Sequence, residues 1–469
     1  MDGSDIEAPH RHGLLAKGRW PVLLLICGGI WLHAADTTVV ATIMPDAVTE
    51  LGGLAWVAWA WMLELVGAIV AAAACGFLAA RYGTGRMTAL AAGGFAIGCM
   101  VTALSWDMGG FLAGRLLQGI GGGAMVALCH IGVAACFPER LWIRAYAAVA
   151  IVWGTSALIG PLVGGFFAEI GFWRGAFWAF ASQAVLIVIA APALLRRATA
   201  HVDRKASGVP VRSLLFLVPA VLVIGLGGVV EIWWVSLLAV LVGIALLGTC
   251  LAADRRGPVS LLPRESLGVP HVSAGLLMAF LLPLSAISFS TYGPLLLQRL
   301  HGLSPLEFGY LAALESVAWS LTALFIARWP LVDEQRCIRV GGFVVVAAIG
   351  LFAYAMPRGA TGLVVLAALM QGGGFGLCWA YVTRRVVAAA LPADRERAAG
   401  ALPTVQMLGY AVGAAAAGIV ANGLGFASTT GGGGDADRII NENVAAWIFL
   451  AFIPLGLGGI VAAWRLSRP

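Results

Sequence analysis

Stretches of about twenty apolar residues recur along the whole chain, broken by short polar segments, and each is long enough to cross a hydrocarbon layer as a helix. Read this way, the pattern predicts fourteen transmembrane helices. They lie at roughly 20–44, 55–79, 87–105, 109–135, 145–168, 175–195, 213–230, 233–252, 269–297, 307–327, 339–356, 361–383, 398–421 and 444–464. Several exceed the minimum length, which permits tilt but fixes no angle. The first stretch lacks a small-residue cleavage site and is far longer than a signal-peptide core, so it is read as a retained helix.

Composition agrees. Hydrophobic residues fill 61% of 469 positions and charged residues only 11%, whereas a soluble domain carries about 25% charged residues. The placement of the charges sets the topology. With the amino terminus on the cytoplasmic side, 24 of the 29 Lys and Arg residues fall in cytoplasmic segments; Arg174, Arg299, Arg358 and Arg438 fall in outer loops and Arg115 inside a span. One missed crossing would reverse every later loop, so the bias supports an even count with both termini cytoplasmic. A missed pair would leave it intact, so 213–230 and 233–252 need their own argument. Both are nearly free of charge, and the turn joining them holds Glu231, Trp233 and Trp234, which suits an interfacial belt. The alternative is a long cytoplasmic loop with buried apolar helices, but nothing soluble here could cover them.

The net charge of +6 leaves no basic face once the arginines are assigned to loops, so no nucleic-acid partner is expected. The eight cysteines lie in spans or cytoplasmic loops with no C-x-x-C, which argues against a disulfide framework and against a metal site.

Two apolar segments carry the most specific pattern. Arg115 leads into Gln118-Gly119-Ile120-Gly121-Gly122-Gly123, and a later segment holds Gly154, Gly160-Pro161 and Gly164-Gly165. A guanidinium within a membrane is costly and is expected to face a partner or water. Glycines at three- and four-residue spacing clear a helix face for close approach of another backbone. Pro161 removes one helix hydrogen bond and bends the segment. A shift of 253 residues places Gln118 on Gln371, Gly119 on Gly372, Gly121 on Gly374, Gly123 on Gly376, Gly160 on Gly413 and Gly165 on Gly418. Arg115 falls on Ala368, so the chain reads as two related halves, one of them specialised.

Arg115-Leu-Leu-Gln118-Gly119, followed by Gly154 and Gly160-Pro161-Leu-Val-Gly164-Gly165, resembles the paired signatures of major facilitator superfamily exporters. The second signature is the one associated with drug/proton antiporters. Asp36-Thr-Thr38 through Pro45, Trp56 through Leu63, and Tyr292-Gly-Pro294 through Gly309 resemble segments of its fourteen-helix subgroup, over about residues 30 to 420. There are departures. In Gly76-Phe-Leu-Ala-Ala80-Arg81-Tyr-Gly83-Thr-Gly-Arg86, Ala80 stands where the family has an aspartate. The resemblance implies a cytoplasmic gate at Gly76, Arg81, Gly83 and Arg86, with its usual lock weakened or replaced. Trp173-Arg174 is kept, but the family's following asparagine is missing near Ala181-Ser182.

Counted from the outer helix ends, Asp36, Glu64, Arg115 and Glu315 sit roughly 9–14 Å deep. Four rare charges at one depth are expected to share a polar cavity in the outer half and to couple transport to protons. Other uses stay open: Asp36 as a structural partner of Arg115, and Glu64 and Glu315 as hydrogen-bonding groups at helix kinks. His33, one turn before Asp36, shares its face; His130 is expected to be structural. Trp31, Trp59, Trp61, Trp153, Trp319 and Trp379 are candidates for an aromatic substrate cavity or for simple packing.

The sequence thus predicts an all-α polytopic membrane protein of two six-helix bundles arranged as parallel repeats plus an inserted helix pair. The expected parts are a cytoplasmic tail (1–19), a first bundle (20–197), loops with the extra pair (198–268) and a second bundle (269–469). The expected function is proton-coupled efflux of amphipathic, cationic or neutral hydrophobic compounds across the cytoplasmic (inner) membrane. A dedicated exporter of one endogenous metabolite or lipid, or a non-transporting sensor, are the alternatives. No nucleophile or metal cluster suggests an enzyme. The expected partners are a small-molecule substrate, protons and the lipid bilayer; no cofactor is expected, and a monomer is.

Overall fold

In a computed structural model of the protein, the described residues are 19–195, 208–230, 232–257, 259–264, 266–327, 333–429 and 434–468. Most of the predicted cytoplasmic tail, the loop over 196–207 and Glu231 lie outside them. Within a membrane a backbone can satisfy its N–H and C=O groups only internally, and the apolar stretches accordingly form helices.

These are α1 (Trp20–Leu51), α2 (Val57–Tyr82), α3 (Thr84–Ala103), α4 (Met108–Cys136), α5 (Glu139–Glu169), α6 (Arg174–Leu194), α7 (Val211–Gly227) and α8 (Trp233–Arg256). The second part of the chain adds α9 (Pro270–Ala286), α10 (Ser288–His301), α11 (Pro305–Ala327), α12 (Glu334–Ala355), α13 (Thr361–Ala389), α14 (Arg395–Gly423), α15 (Asp435–Leu450) and α16 (Ile453–Leu466). Among the described residues there is no strand. Two predicted spans are each built from two helices. The span at Pro270–His301 breaks at Ile287, a few residues after Pro283, and the last one breaks at Ala451–Phe452, just before Pro454.

Thirteen spans among the described residues are long and apolar enough to cross a membrane; α7, of 17 residues, is shorter. At about 1.5 Å per residue α7 falls a few ångströms short of a typical hydrocarbon core, a mismatch that slight thinning accommodates. It is held to α8 and the following loop by Asp254, which is buried near the end of α8. Asp254 accepts from Ser213 Oγ at 2.6 Å, Leu261 N at 2.7 Å and Leu262 N at 2.9 Å.

The same packing occurs twice. In the first group α1 packs on α4 and α5, α2 on α4, and α3 on α4 and α6. In the second, α9 packs on α13 and α14, α11 on α13, and α12 on α13 and α16. The glycine repeat explains the match. A methyl group at Gly119 would strike the backbone carbonyl of Glu64, and one at Gly372 would strike that of Glu315. Each glycine therefore seats a neighbouring helix at backbone distance, and Glu64 and Glu315 occupy equivalent places.

The groups meet where α5 faces α11 and α2 faces α14. The named contacts gather at the end predicted to be outer. A methyl group at Gly165 would come 2.8 Å from Leu306 Cα, one at Gly309 would come 2.7 Å from Pro161 O, and one at Gly418 would come 3.1 Å from Ala58 Cβ. Asn422 Nδ2 donates to Ala55 O at 2.9 Å and to Gly228 O at 2.7 Å, joining α14 to the entrance of α2 and the end of α7.

Candidate functional site

Asp107 caps α4 by accepting the Gly110 amide at 2.7 Å, which satisfies one of the free N–H groups at the helix start. From there α4 runs through Gly114, Gly119, Gly121, Gly122 and Gly123, and its neighbours close onto it. A methyl group at Gly67 of α2 would come 2.7 Å from Leu116 O, and one at Gly98 of α3 would come 2.6 Å from Gln118 N. On this close-packed side of α4, Arg115 is fully buried, with Asp36 of α1 and Glu64 of α2 as its acidic neighbours.

Arg115 Nη1 donates to Asp36 Oδ2 at 2.7 Å and to Gln118 Oε1 at 2.9 Å. Gln118 Nε2 donates to Asp36 Oδ1 at 3.2 Å and contacts Cys99 Sγ at 3.1 Å. Both Asp36 oxygens therefore accept a donor. On the other side, Arg115 Nη2 lies 3.9 Å from Glu64 Oε2, and His33 Nδ1 lies 3.4 Å from Glu64 Oε1. Arg115 and Asp36 are 0% exposed, Glu64 1% and His33 2%. Neither Glu64 oxygen, nor Arg115 Nε or Nη2, nor His33 Nδ1 has a hydrogen-bond partner. The His33 ring meets Trp153 of α5 edge-on, with centroids 6.3 Å apart.

The expected single cavity is corrected in two ways. Asp36, Arg115 and Glu64 form a closed cluster inside the first group, and Glu315 lies apart from it in the second. There Gln371 Nε2 donates to Glu315 Oε1 at 2.8 Å. Counting residues along a helix gives the depth of a charge but not the direction in which packing turns it. Since Arg115 falls on Ala368 and Gln118 on Gln371, the second group keeps the amide–acid pair and lacks the guanidinium.

The tryptophans divide similarly. Trp319 stacks on Phe375 at 5.0 Å and lies 6.4 Å from Trp379, one helical turn from Glu315. Trp153 belongs with His33. Trp31 Nε1 donates to Gln183 Oε1 of α6 at 3.2 Å. Trp59 packs on Trp56 at 5.0 Å and against Gly225 of α7, and Trp61 is buried. Trp59 therefore serves the seat of the inserted pair, because that side of α2 is the one α7 covers.

The bend motif has two working faces. Methyl groups at Gly160 and Gly164 would strike Thr38 and Thr42 of α1, while Gly165 and Pro161 meet α11 at Leu306 and Gly309. Gly154 faces Ser320 of α11, with 3.2 Å for a methyl group. At the expected cytoplasmic gate, Gly83 has φ +89° in the turn between α2 and α3, Gly76 faces open space, and Arg81 and Arg86 are exposed.

Sequence reasoning passed over Glu50 at the end of α1. Its Oε2 accepts from Trp173 Nε1 at 2.8 Å and Arg174 Nη1 at 2.5 Å, while Arg174 Nη2 reaches Ser105 O at 2.7 Å. The retained Trp173-Arg174 pair was the available signal. Asn422 gave none.

Residues 26–299, more than half of the chain, match the Major Facilitator Superfamily, and the chain belongs to that family. A probable multidrug-efflux transporter of Mycobacterium tuberculosis (strain H37Rv) is 29% identical over 463 residues, covering 95% of this chain and 94% of the relative. The tetracenomycin C resistance and export protein of Streptomyces glaucescens is 26% identical, covering 62% of this chain and 55% of its own. Among solved structures, a D-xylose-proton symporter superposes with a TM-score of 0.64 at 16% identity, covering 93% of this chain and 97% of that one. The last likeness is one of fold. The protein is a membrane transporter and not an enzyme.

Proposed function

We propose that the protein is a proton-coupled exporter of amphipathic, cationic or neutral hydrophobic compounds, acting as a monomer in the cytoplasmic membrane. The single observation that carries this reading is the buried Arg115–Asp36 pair between α4 and α1. An ion pair removed from water is a poor stabiliser but a strong conditional contact, because losing the charge of one partner leaves the other uncompensated. A proton arriving at this site therefore alters how α1 and α4 pack, and α1 is the helix on which Gly160 and Gly164 seat α5. Through α5 the change reaches α11 and the seam between the groups. The multidrug-efflux name of the mycobacterial relative supports the substrate class.

In this reading the groups are bundles over 20–197 and 269–469, with 198–268 carrying the extra pair, and they rock about a site between them. Contacts gathered at the predicted outer end make the present conformation closed to the outside. Trp319 and Trp379, both half-buried near Glu315 and backed by the buried Phe375, offer aromatic faces suited to a flat cation. A dedicated metabolite exporter is the second reading, favoured by the likeness to the tetracenomycin C export protein. Transport by purified protein in proteoliposomes with an imposed pH gradient tests the proposal, and a panel of unrelated lipophilic compounds separates the two readings.

A further inference from the structure

The first-group cluster holds two carboxylates and one guanidinium, all within 4 Å of a partner and none above 2% exposed. With both acids ionised, and His33 neutral, the site would keep one net negative charge shut away from bulk solvent. An uncompensated buried charge of that kind is strongly disfavoured. The cluster therefore holds a proton, and the hydrogen bonds tell the acids apart. Asp36 accepts from Arg115 and Gln118 on its two oxygens, as a carboxylate does. Glu64 accepts nothing on either oxygen. The other charged or titratable side chains meeting it are Arg115 from α4, Asp36 and His33 from α1 and, beyond Gln118, Cys99 from α3.

We infer that Glu64 carries the exchanged proton in this conformation, and that His33 is the group through which the proton enters and leaves. Resting on the proton-coupled reading above, this adds a second acid to Asp36 and a direction of exit. His33 Nδ1 is the titratable nitrogen next to Glu64, and its ring contacts Trp153 on α5, the helix that meets the other group. When Glu64 gives its proton to His33 and His33 passes it on, Glu64 becomes a carboxylate 3.9 Å from Arg115 Nη2, which has no other partner. Arg115 can then turn from Asp36 to Glu64, with Asp36 taking a proton. One proton thus leaves Glu64 through His33 to water and a second arrives at Asp36 from water, so the charge of the cluster is restored and only O–H and N–H bonds are broken and formed.

Two measurements on the full-length protein test this. The first treats it with dicyclohexylcarbodiimide, a lipophilic reagent that attacks protonated carboxyl groups, and maps the adduct by peptide mass spectrometry. An adduct on Glu64 and none on Asp36 is expected; one on Asp36, or on neither, overturns the inference. The second follows ethidium in proteoliposomes with an imposed pH gradient. Glu64→Gln should lose gradient-driven accumulation as completely as Asp36→Asn. His33→Gln should slow the initial rate, on the order of a hundredfold, while leaving the final accumulation unchanged. Wild-type accumulation by Glu64→Gln would remove Glu64, and a wild-type rate in His33→Gln would remove the relay. A wild-type protein that moves no ethidium against the gradient would count against the proton-coupled reading, and the adduct position would still decide the place of the proton.

Discussion

Arg115 Nη1 lies 2.7 Å from Asp36 Oδ2, and both side chains are fully buried. The contact spans two helices that the glycines of α4 and α5 hold at backbone distance from their neighbours. A charge change here cannot be absorbed by solvent, so it must be met by a shift in packing. That property makes the pair a coupling element in the proposed mechanism.

Gly160→Leu and Gly164→Leu should each abolish export while the protein still reaches the membrane. The added side chains would collide with Thr38 and Thr42 on α1, and overpacking of this kind costs roughly 1–3 kcal/mol or more. Membrane yield and transport measured side by side check this. Normal export by either variant would show that α1 and α5 need not stay in close contact.

Asn422→Ala removes two hydrogen bonds at the closed end, to Ala55 O and Gly228 O. At about 1 kcal/mol each, their joint loss should shift the population away from the closed form roughly thirtyfold. A disulfide between cysteines placed at Ala58 and Gly418 reports the closure. Its yield should fall in the Asn422→Ala background, and an unchanged yield would mean that Asn422 holds nothing shut.

Asp254→Ala should loosen the inserted pair without touching the α1–α4 pair. Three donors lose their acceptor, and hydrogen bonds to a charged group contribute roughly 1.5–3 kcal/mol each. Faster protease cleavage between α8 and α9, with a lowered Tm, is the expected result. A resistant loop would mean that Asp254 does not anchor it.

Reporters fused after Gly434 and after Leu466 test the orientation. The first should be extracytoplasmic and the second cytoplasmic, as the basic residues predict. A cytoplasmic Gly434 would undo the fourteen-span topology.

Much of this arrangement is legible in the chain. Apolar length and basic loops give the spans, and the recurrence at 253 residues gives the two related groups, because both signals are local or periodic. The Arg115–Asp36 pair follows from two rare charges at one depth. Other features depend on which way a helix face turns, and spacing along one helix does not record that. Glu315 shares the depth of Glu64 yet sits in the other group with Gln371, and Trp59 turns toward α7. Asn422 has no pattern at all, since its carbonyl partners belong to Ala55 and Gly228 and carry no side-chain signature. The break at Ile287 was half visible in Pro283, but Leu284–Ala286 read as continuous helix.

The most direct test of the account is uptake into proteoliposomes with an imposed pH gradient, comparing wild type with Asp36→Asn. Asparagine keeps the shape of the side chain and removes its charge, leaving Arg115 with Glu64 as its one acid. The wild type should concentrate substrate against its gradient. Asp36→Asn should bind substrate and exchange it across the membrane but fail to concentrate it. Arg115→Ala should be worse, because it leaves the buried Asp36 carboxylate without its counter-charge. Gradient-driven accumulation by Asp36→Asn with the pH dependence of the wild type would contradict the claim that this pair couples export to protons.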